Sequence, residues 1–282
     1  MATTAVITTT SVSSENDIEA ITEVLAKTEI SDIPLTGLIN NPAAMAALVD
    51  NLYDQPTTTI PSLFLDVEGV NLSRHGSISI LQIFVRPQNR TYLVDVHALG
   101  NDAFDTPGKA CKNTLKDLLE SDTIPKVFFD VRNDSDALFG NFKVDLAGIQ
   151  DLQLMELATR TFNRRHINGL SRCIDRDCPM TSGERQDWKR TKEEGLALFA
   201  PEKGGSYEVF NERPLPEKIR LYCVQDVQFL PRLWSYYDAK MSKKWKVRVL
   251  AASKDRVSLS QTSGFNGKGQ HKALGPKEWL YY

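Results

Sequence analysis

Two pairs of polar residues have a spacing that places both side chains on one face of a regular element. Asp66 and Glu68 flank a single residue at the end of an apolar run, and side chains two apart in a strand point to the same face. Tyr222 and Asp226 are four apart in a helical pattern, and residues at this spacing are neighbours on a helix. Adjacent carboxylates repel one another unless a cation neutralises them, and Mg²⁺ and Mn²⁺ prefer such oxygen ligands. Metal-assisted chemistry is one interpretation; a solvated strand end and a hydrogen-bonded Tyr–Asp pair in the core are the ordinary alternatives.

A third acidic segment contains two candidate carboxylates. Asp134 and Asp136 lie in the run N-D-S-D-A-L-F, which follows a short apolar strand. Asn, Asp and Ser are typical of a helix N-terminus, so one of these residues is expected to cap the helix. The pattern leaves open which of the two carboxylates faces the pairs described above.

The elements that must position these residues follow the pattern of an α/β protein. Three apolar segments at residues 62–70, 77–85 and 91–96 are joined by short links and predict an antiparallel meander. Helical and strand patterns then alternate, which favours a mixed sheet of antiparallel and parallel strands flanked by helices. The alternating segments are helices at 110–120, 135–142 and 152–161 and strands at 126–129 and 144–149.

Three further patterns complete this reading of the chain. Near its start, Asn41-Pro42 predicts the first turn of a helix, because Asn is a good cap and Pro fits the first helical position. Residues 176–212 are polar and punctuated by Gly and Pro, which predicts an insertion or a long loop. Residues 216–237 have apolar side chains at helical spacing and predict one amphipathic helix that carries Tyr222 and Asp226.

The three acidic segments together resemble the DEDD superfamily of 3′–5′ exonucleases, in the subtype with a tyrosine in its third motif. Ribonuclease D and the Werner-type exonuclease domain belong to this subtype. Its first motif, D-x-E, matches Asp66-Val67-Glu68, and its third, Y-x-x-x-D, matches Tyr222 to Asp226. The second motif, an Asp that opens a helix and a later Asp after a strand, matches residues 133–139 and Asp151. The motifs fall in the family order, and the tail resembles that of fungal-type 3′–5′ exonuclease domain proteins.

The resemblance implies a ribonuclease-H-like fold and a metal-dependent 3′–5′ exonuclease that releases nucleoside 5′-monophosphates. The expected partner is the single-stranded 3′ end of RNA or DNA, with no membrane partner. Alignment to Phe142 favours Asp134 over Asp136 as the acid of the second motif, and Tyr222 would orient the attacking water. Two Mg²⁺ or Mn²⁺ ions would serve a two-metal mechanism. The implied catalytic residues are Asp66, Glu68, Asp134, Tyr222 and Asp226, and the implied metal ligands are Asp66, Glu68, Asp134 and Asp226.

A catalytically inactive protein is the alternative. It would keep the exonuclease fold and act as a nucleic-acid-binding or adaptor module. Such a module is expected to have lost part of the acidic set. All five residues of the catalytic set are present in this chain, which favours the enzyme.

The chain as a whole is close to neutral, with 34 Lys and Arg against 36 Asp and Glu, so binding to nucleic acid requires a local basic patch. From Lys240 to Lys277 there are ten basic residues and one Asp. Basic residues interleaved with an aromatic suit phosphate contact and base stacking; those predicted to bind nucleic acid are Lys243, Lys244, Trp245, Lys246 and Arg248. In the alternative interpretation the segment packs on the core, through Trp245, Val247, Val249 and Leu250.

These patterns divide the chain into three predicted parts. They are a flexible acidic and Ser/Thr-rich N-terminus over residues 1–34, the exonuclease domain over 35–240, and a basic extension over 241–282. Four cysteines are few for an oxidising compartment, and no apolar run is long enough to span a bilayer. We therefore expect a soluble intracellular protein, cytoplasmic or nuclear. The sequence indicates neither a preference between RNA and DNA nor an oligomeric state.

Overall fold

The centre of the fold is a mixed β-sheet. In the computed structural model, which describes residues 37–56, 58 and 60–280, six strands lie in the order β1-β4-β3-β2-β5-β6. Strands β2, β3 and β4 form an antiparallel meander, β5 and β6 run parallel to β2, and β1 runs parallel to β4. This arrangement confirms the predicted mixed sheet. The strands are β1 (Leu38–Ile39), β2 (Leu63–Glu68), β3 (Ile80–Val85), β4 (Arg90–Asp95), β5 (Lys126–Phe128) and β6 (Ile149–Asp151).

Strand β2 is buried on both faces and carries two acids at its end. Leu63 and Leu65 pack into one hydrophobic cluster and Phe64 into another, because successive side chains of a strand point to opposite faces. Asp66 and Glu68 share the face of Phe64 and are only partly buried. Since β2, β5 and β6 are parallel, their carboxyl ends meet at one edge of the sheet, where clefts form in α/β folds.

Helices cover both faces of the sheet. The first begins as predicted at Asn41, whose Oδ1 accepts a hydrogen bond from the Ala44 amide at 2.9 Å. The described α-helices are α1 (Pro42–Tyr53), α2 (Val96–Leu99), α3 (Asp102–Asp105), α4 (Leu115–Glu120), α5 (Arg132–Phe142), α6 (Leu152–Ala158), α7 (Leu170–Asp177), α8 (Ser182–Phe199), α9 (Glu217–Gln228), α10 (Leu230–Lys240) and α11 (Lys243–Gln261). None of them combines the length and apolarity that a bilayer-spanning segment needs.

The predicted loop at residues 176–212 is wrong, because most of this segment is helical. Helix α8 begins with a capping box in which Thr181 and Glu184 exchange side-chain and backbone hydrogen bonds. Its buried residues are only Trp188, Gly195 and Phe199. The helix therefore lacks the continuous apolar stripe by which a helix is recognised in a sequence.

The single helix predicted over residues 216–237 is also wrong, because two helices occupy this region. Helix α9 ends at Gln228 and α10 begins at Leu230, with Pro231 in the first turn of α10. Proline has no amide hydrogen, and its ring clashes with the carbonyl four residues earlier, so a continuous helix cannot pass through this position.

Two predicted boundaries differ from the structure for local reasons. The strand predicted at 144–149 is observed three residues long, as β6, and the buried Val144 and Leu146 precede it in irregular backbone. The helix predicted at 110–120 begins only at Leu115, because a capping box between Thr114 and Asp117 fixes its start.

The C-terminal segment is part of the packed fold. Helix α11 lies against α5, β6 and α6, and Val249 is buried while Trp245 is partly buried against the core. The predicted apolar face is wrong in two positions, since Val247 and Leu250 are 68% and 50% exposed. The buried face is rotated instead towards Ala252, Ser253, Arg256, Val257 and Ser260. The flexible N-terminus predicted over residues 1–34 lies outside the described residues.

Candidate active site

Three carboxylates from two elements converge at the edge of the sheet. Asp66 and Glu68 come from the end of β2, and Asp226 comes from α9, which packs across β2, β3 and β4. One carboxylate oxygen from each lies within 4.8 Å of the others. The two pairs identified in the sequence therefore form one cluster, neither a solvated strand end nor an isolated core pair.

Tyr222 lies one helical turn before Asp226, on the same side of α9. Burial raises the pKa of the Glu68 and Asp226 carboxyls, and the Tyr222 hydroxyl beside them opposes this rise. Burial and the nearby negative charges of Asp226 and Glu68 raise the pKa of Tyr222 well above its usual value. The phenol is therefore protonated at neutral pH and is a hydrogen-bond donor to this cluster.

The two acids of the third segment have different environments. Asp136 is bound by Arg74, whose Nε donates to Oδ1 at 2.5 Å and whose amide donates to Oδ2 at 2.9 Å. Asp134, in the first turn of α5, is buried. The pKa of Asp66 and Glu68 is raised first by burial, and the charge of Asp134 adds to the rise. Asp134 is therefore the acid of this segment that interacts electrostatically with the cluster, whereas Asp136 fixes the β2–β3 connection to α5.

The carboxylates of the acidic cluster repel one another strongly. The pKa of Asp66 is raised well above its usual value, first by burial and then by the charges of Asp134, Glu68 and Asp226. Burial, with the charge of Asp130 next, raises the pKa of Asp134 to about 7. In the described part of the chain, Asp226 Oδ1 is buried without a hydrogen-bond partner. A buried acceptor of this kind beside repelling carboxylates fits a divalent cation.

Lys192 on α8 is a site residue that the sequence analysis missed. Its Nζ lies 4.0 Å from Asp226 Oδ1 and 5.5 Å from the centroid of the Tyr222 ring. Burial raises the pKa of Glu68 and Asp226, and the positive charge of Lys192 opposes this rise. It was missed because its segment had been predicted as a loop. The available signal for a helix was the four-residue spacing of Trp188, Lys192 and Leu196, which places them on one helical face.

A second missed lysine comes from the C-terminal segment. Lys272 Nζ donates to Asn133 Oδ1 at 2.6 Å and lies 3.9 Å from Asp130 Oδ2. The positive charge of Lys272 opposes the rise that burial causes in the pKa of Asp134. Arg132 donates to the Lys272 carbonyl at 3.0 Å and so holds this segment against the start of α5.

Asp151, the later acid of the second motif, has a structural position. It is fully buried, and its carboxylate accepts hydrogen bonds from the amides of Asp130, Val131 and Gln153 at 3.0–3.2 Å. Arg256 Nη1 donates to its Oδ2 at 2.7 Å. Asp151 therefore shapes the turn that leads into α5 and places Asp134.

The basic residues predicted to bind nucleic acid lie at the start of α11, away from the part of that helix that contacts Asp130. They occupy the first two turns of α11, and Arg256, further along that helix, lies 3.5 Å from Asp130. At about 1.5 Å per residue, Arg248 is about 12 Å from Arg256 along the axis. Trp245 packs edge-on against Trp279 at 5.0 Å, and Lys246 pairs with Asp238 at 2.6 Å.

Comparisons with known proteins agree with this geometry. Residues 38–241, more than half of the chain, match the family model described as 3′–5′ exonuclease. Together with the converging carboxylates, this match defines a nuclease. The chain belongs to the 3′–5′ exonuclease family, as the three motifs predicted. No curated protein matches the chain in sequence.

Solved structures show the same fold. RNase D from Trypanosoma brucei in complex with GMP is 21% identical with a TM-score of 0.66, over 86% of this chain and 70% of that chain. The same enzyme with RNA U12 is 20% identical with a TM-score of 0.63, over 86% and 77%. The catalytic core of RRP6 from Trypanosoma brucei is 17% identical with a TM-score of 0.55, over 86% and 59%. These likenesses confirm the predicted ribonuclease-H-like architecture.

Proposed function

We propose that the protein removes nucleoside 5′-monophosphates from the 3′ end of single-stranded RNA or DNA. The observation that carries this proposal is the convergence of Asp66, Glu68 and Asp226 within 4.8 Å, with the charge of Asp134 acting on the first two. All the family's acids are present, which a catalytically inactive adaptor would not require. The RNA bound by the similar RNase D supports RNA as the first substrate to test.

The residues have separate roles in the proposed reaction. Asp66, Glu68, Asp134 and Asp226 would hold two Mg²⁺ or Mn²⁺ ions. Bound divalent cations activate a water and stabilise the charge that develops on the phosphate and on the leaving 3′ oxygen. Tyr222 would orient the attacking water through its hydroxyl, because its phenol stays protonated among the carboxylates.

Charge governs how the substrate approaches. Four carboxylates repel a phosphodiester, so substrate binding depends on the cations that neutralise them. Lys192 at 4.0 Å from Asp226 adds a fixed positive charge on the Tyr222 side of the cluster. The exposed Lys243 and Lys244 on α11 would contact phosphates further from the 3′ end. Each such contact on a single strand should lower the logarithm of the binding constant by about 0.7 for each tenfold rise in salt concentration.

A degradation assay tests the proposal. A 5′-labelled strand of RNA or DNA should give a ladder that shortens from the 3′ end with Mg²⁺ or Mn²⁺, and a 3′-phosphorylated strand should resist. Asp66→Asn should abolish the ladder, because it removes a ligand shared in the cluster, while Asp105→Asn on the exposed side of α3 should not. Undiminished degradation in excess chelator, or by Asp66→Asn, would refute the proposal.

A further inference from the structure

A cavity of about 690 Å³ lies at the hairpin between β3 and β4, away from the acidic cluster. The sheet register separates the two sites: Asp66 pairs with Gln82 and Glu68 with Ile80, whereas Phe84, which lines the cavity, lies two and four residues further along β3. At about 3.4 Å per residue these separations are about 7 and 14 Å along the strand. The remaining walls come from α8, α9 and the start of α10.

The cavity has more positive than negative side chains in its wall. The charged residues that line it are Arg86, Arg90, Arg220, Arg232, Glu184 and Asp187. Glu184 pairs with Arg232 at 2.9 Å, but Asp187 pairs outside the cavity, with Arg190 at 2.7 Å. Arg220 also pairs outside the cavity, with Glu217 at 2.6 Å. The wall therefore has a net positive charge, and guanidinium groups bind carboxylate or phosphate oxygens in a bidentate manner.

Two donors in this wall lack acceptors. Trp188 is 4% exposed, and its Nε1–H has no hydrogen-bond partner within the described residues. The same holds for the buried Nη1 of Arg86, whose guanidinium also lies over the Trp234 ring at 5.9 Å. Buried donors in folded proteins nearly always have an acceptor. Both atoms are closed to solvent in this structure, so an acceptor that enters the cavity reaches them only when the two side chains turn towards it.

The rest of the wall suits a planar ring. Phe84, Val224, Phe229 and Pro231 supply an apolar side, and Arg232 lies over the Phe229 ring at 5.5 Å. The volume lies within the range of about 300–1,000 Å³ that is typical of binding sites for small molecules, although polar groups make up more of the lining than apolar ones. An inorganic anion would use the donors but would leave the apolar wall and most of this volume unfilled.

We propose that this cavity is a second nucleotide site, which binds a base on the apolar side and its phosphate on Arg86 and the Trp188 Nε1–H. The shared chemistry is a nucleotide phosphate, either in a free nucleoside monophosphate or in one unit of a longer strand. This inference does not depend on the proposed exonuclease reaction, because it requires neither the acids nor a metal ion.

Nuclear magnetic resonance on the full chain tests the site directly. The protein is labelled with ¹⁵N and kept in chelator, so that the acidic cluster repels phosphate, and the indole signal of Trp188 is identified with Trp188→Phe. Adenosine monophosphate should shift this signal downfield at millimolar concentrations or below, and adenosine should not. An unmoved Trp188 signal with both the monophosphate and a ten-nucleotide strand would overturn the proposal.

Affinity measurements separate the two sources of phosphate and the two sites. We expect Arg86→Gln to weaken binding of adenosine monophosphate about tenfold and Trp188→Phe severalfold, whereas Lys189→Gln, a matched loss of charge on α8, changes it less than twofold. A competition experiment in the Asp66→Asn background shows which phosphate the cavity binds. If a ten-nucleotide strand displaces the monophosphate, the cavity binds a unit of a longer strand. If the strand does not displace it, the cavity binds the free nucleotide. Equal effects of Arg86→Gln and Lys189→Gln, with Trp188→Phe unchanged, would refute the site.

Discussion

Removing the positive charge of Lys192 should have opposite effects on the metal-free and the metal-bound protein. Its Nζ lies 4.0 Å from Asp226 Oδ1, and its side chain is 20% exposed. Two unit charges at this distance interact with about 4 kcal/mol in an effective dielectric of about 20. Solvent screening of the partly exposed ammonium reduces this, and we expect about 1–2 kcal/mol of destabilisation for Lys192→Gln without metal.

The sign reverses once divalent cations are bound. Lys192 then repels the cations that Asp226 helps to hold, so its loss should strengthen metal binding while substrate turnover falls. Thermal unfolding during titration with Mn²⁺ measures both effects: Lys192→Gln should start from a lower melting temperature and gain more on saturation than the parent. The control is Lys189→Gln, because Lys189 lies on the exposed side of α8 and pairs with Asp175 of α7. Identical melting temperatures and identical gains for Lys192→Gln and parent would refute this reasoning.

The other predictions concern stability, pH and packing. Asp136→Asn should lower the free energy of unfolding by about 2–3 kcal/mol, because it breaks a buried ion pair with Arg74, and denaturant titration measures this. The pKa of Asp134 is raised to about 7 in the fold; its ionisation therefore opposes folding, and stability without metal should rise as pH falls from 8 to 5, less so in Asp134→Asn. Gly195→Ala would place a Cβ 2.6 Å from the Tyr222 ring and should cost about 1–3 kcal/mol, with lower turnover if α8 shifts.

The parts of the site that the sequence predicted are those with a local signal. Asp66 and Glu68 follow a run of apolar residues that could only be a buried strand, and their spacing alone puts them on one face. Tyr222 and Asp226 share a helical turn whose neighbours are apolar. Each pair was recognisable because the residues that position it are its own neighbours in the chain.

The parts that the sequence could not predict depend on distant partners. The contact that distinguishes Asp136 from Asp134 is with Arg74, which is 62 residues from Asp136 in the chain. Lys272 contacts Asn133, which is 139 residues away in the chain, and no local sequence pattern indicates such a contact. Lys192 was missed for another reason: α8 is amphipathic only weakly, because it packs through Gly195 and a few large side chains while most of its surface faces solvent.

The position of Arg256 has a consequence for the order in which the chain can mature on the ribosome. Asp151 and Arg256 are 105 residues apart, and at about 5–20 residues per second synthesis of the interval takes on the order of 5–20 s. During that time the carboxylate of Asp151 lacks its guanidinium partner, and the turn that places Asp134 is left without this support. Nascent chains that end before α11 are therefore expected to lack the finished nuclease centre.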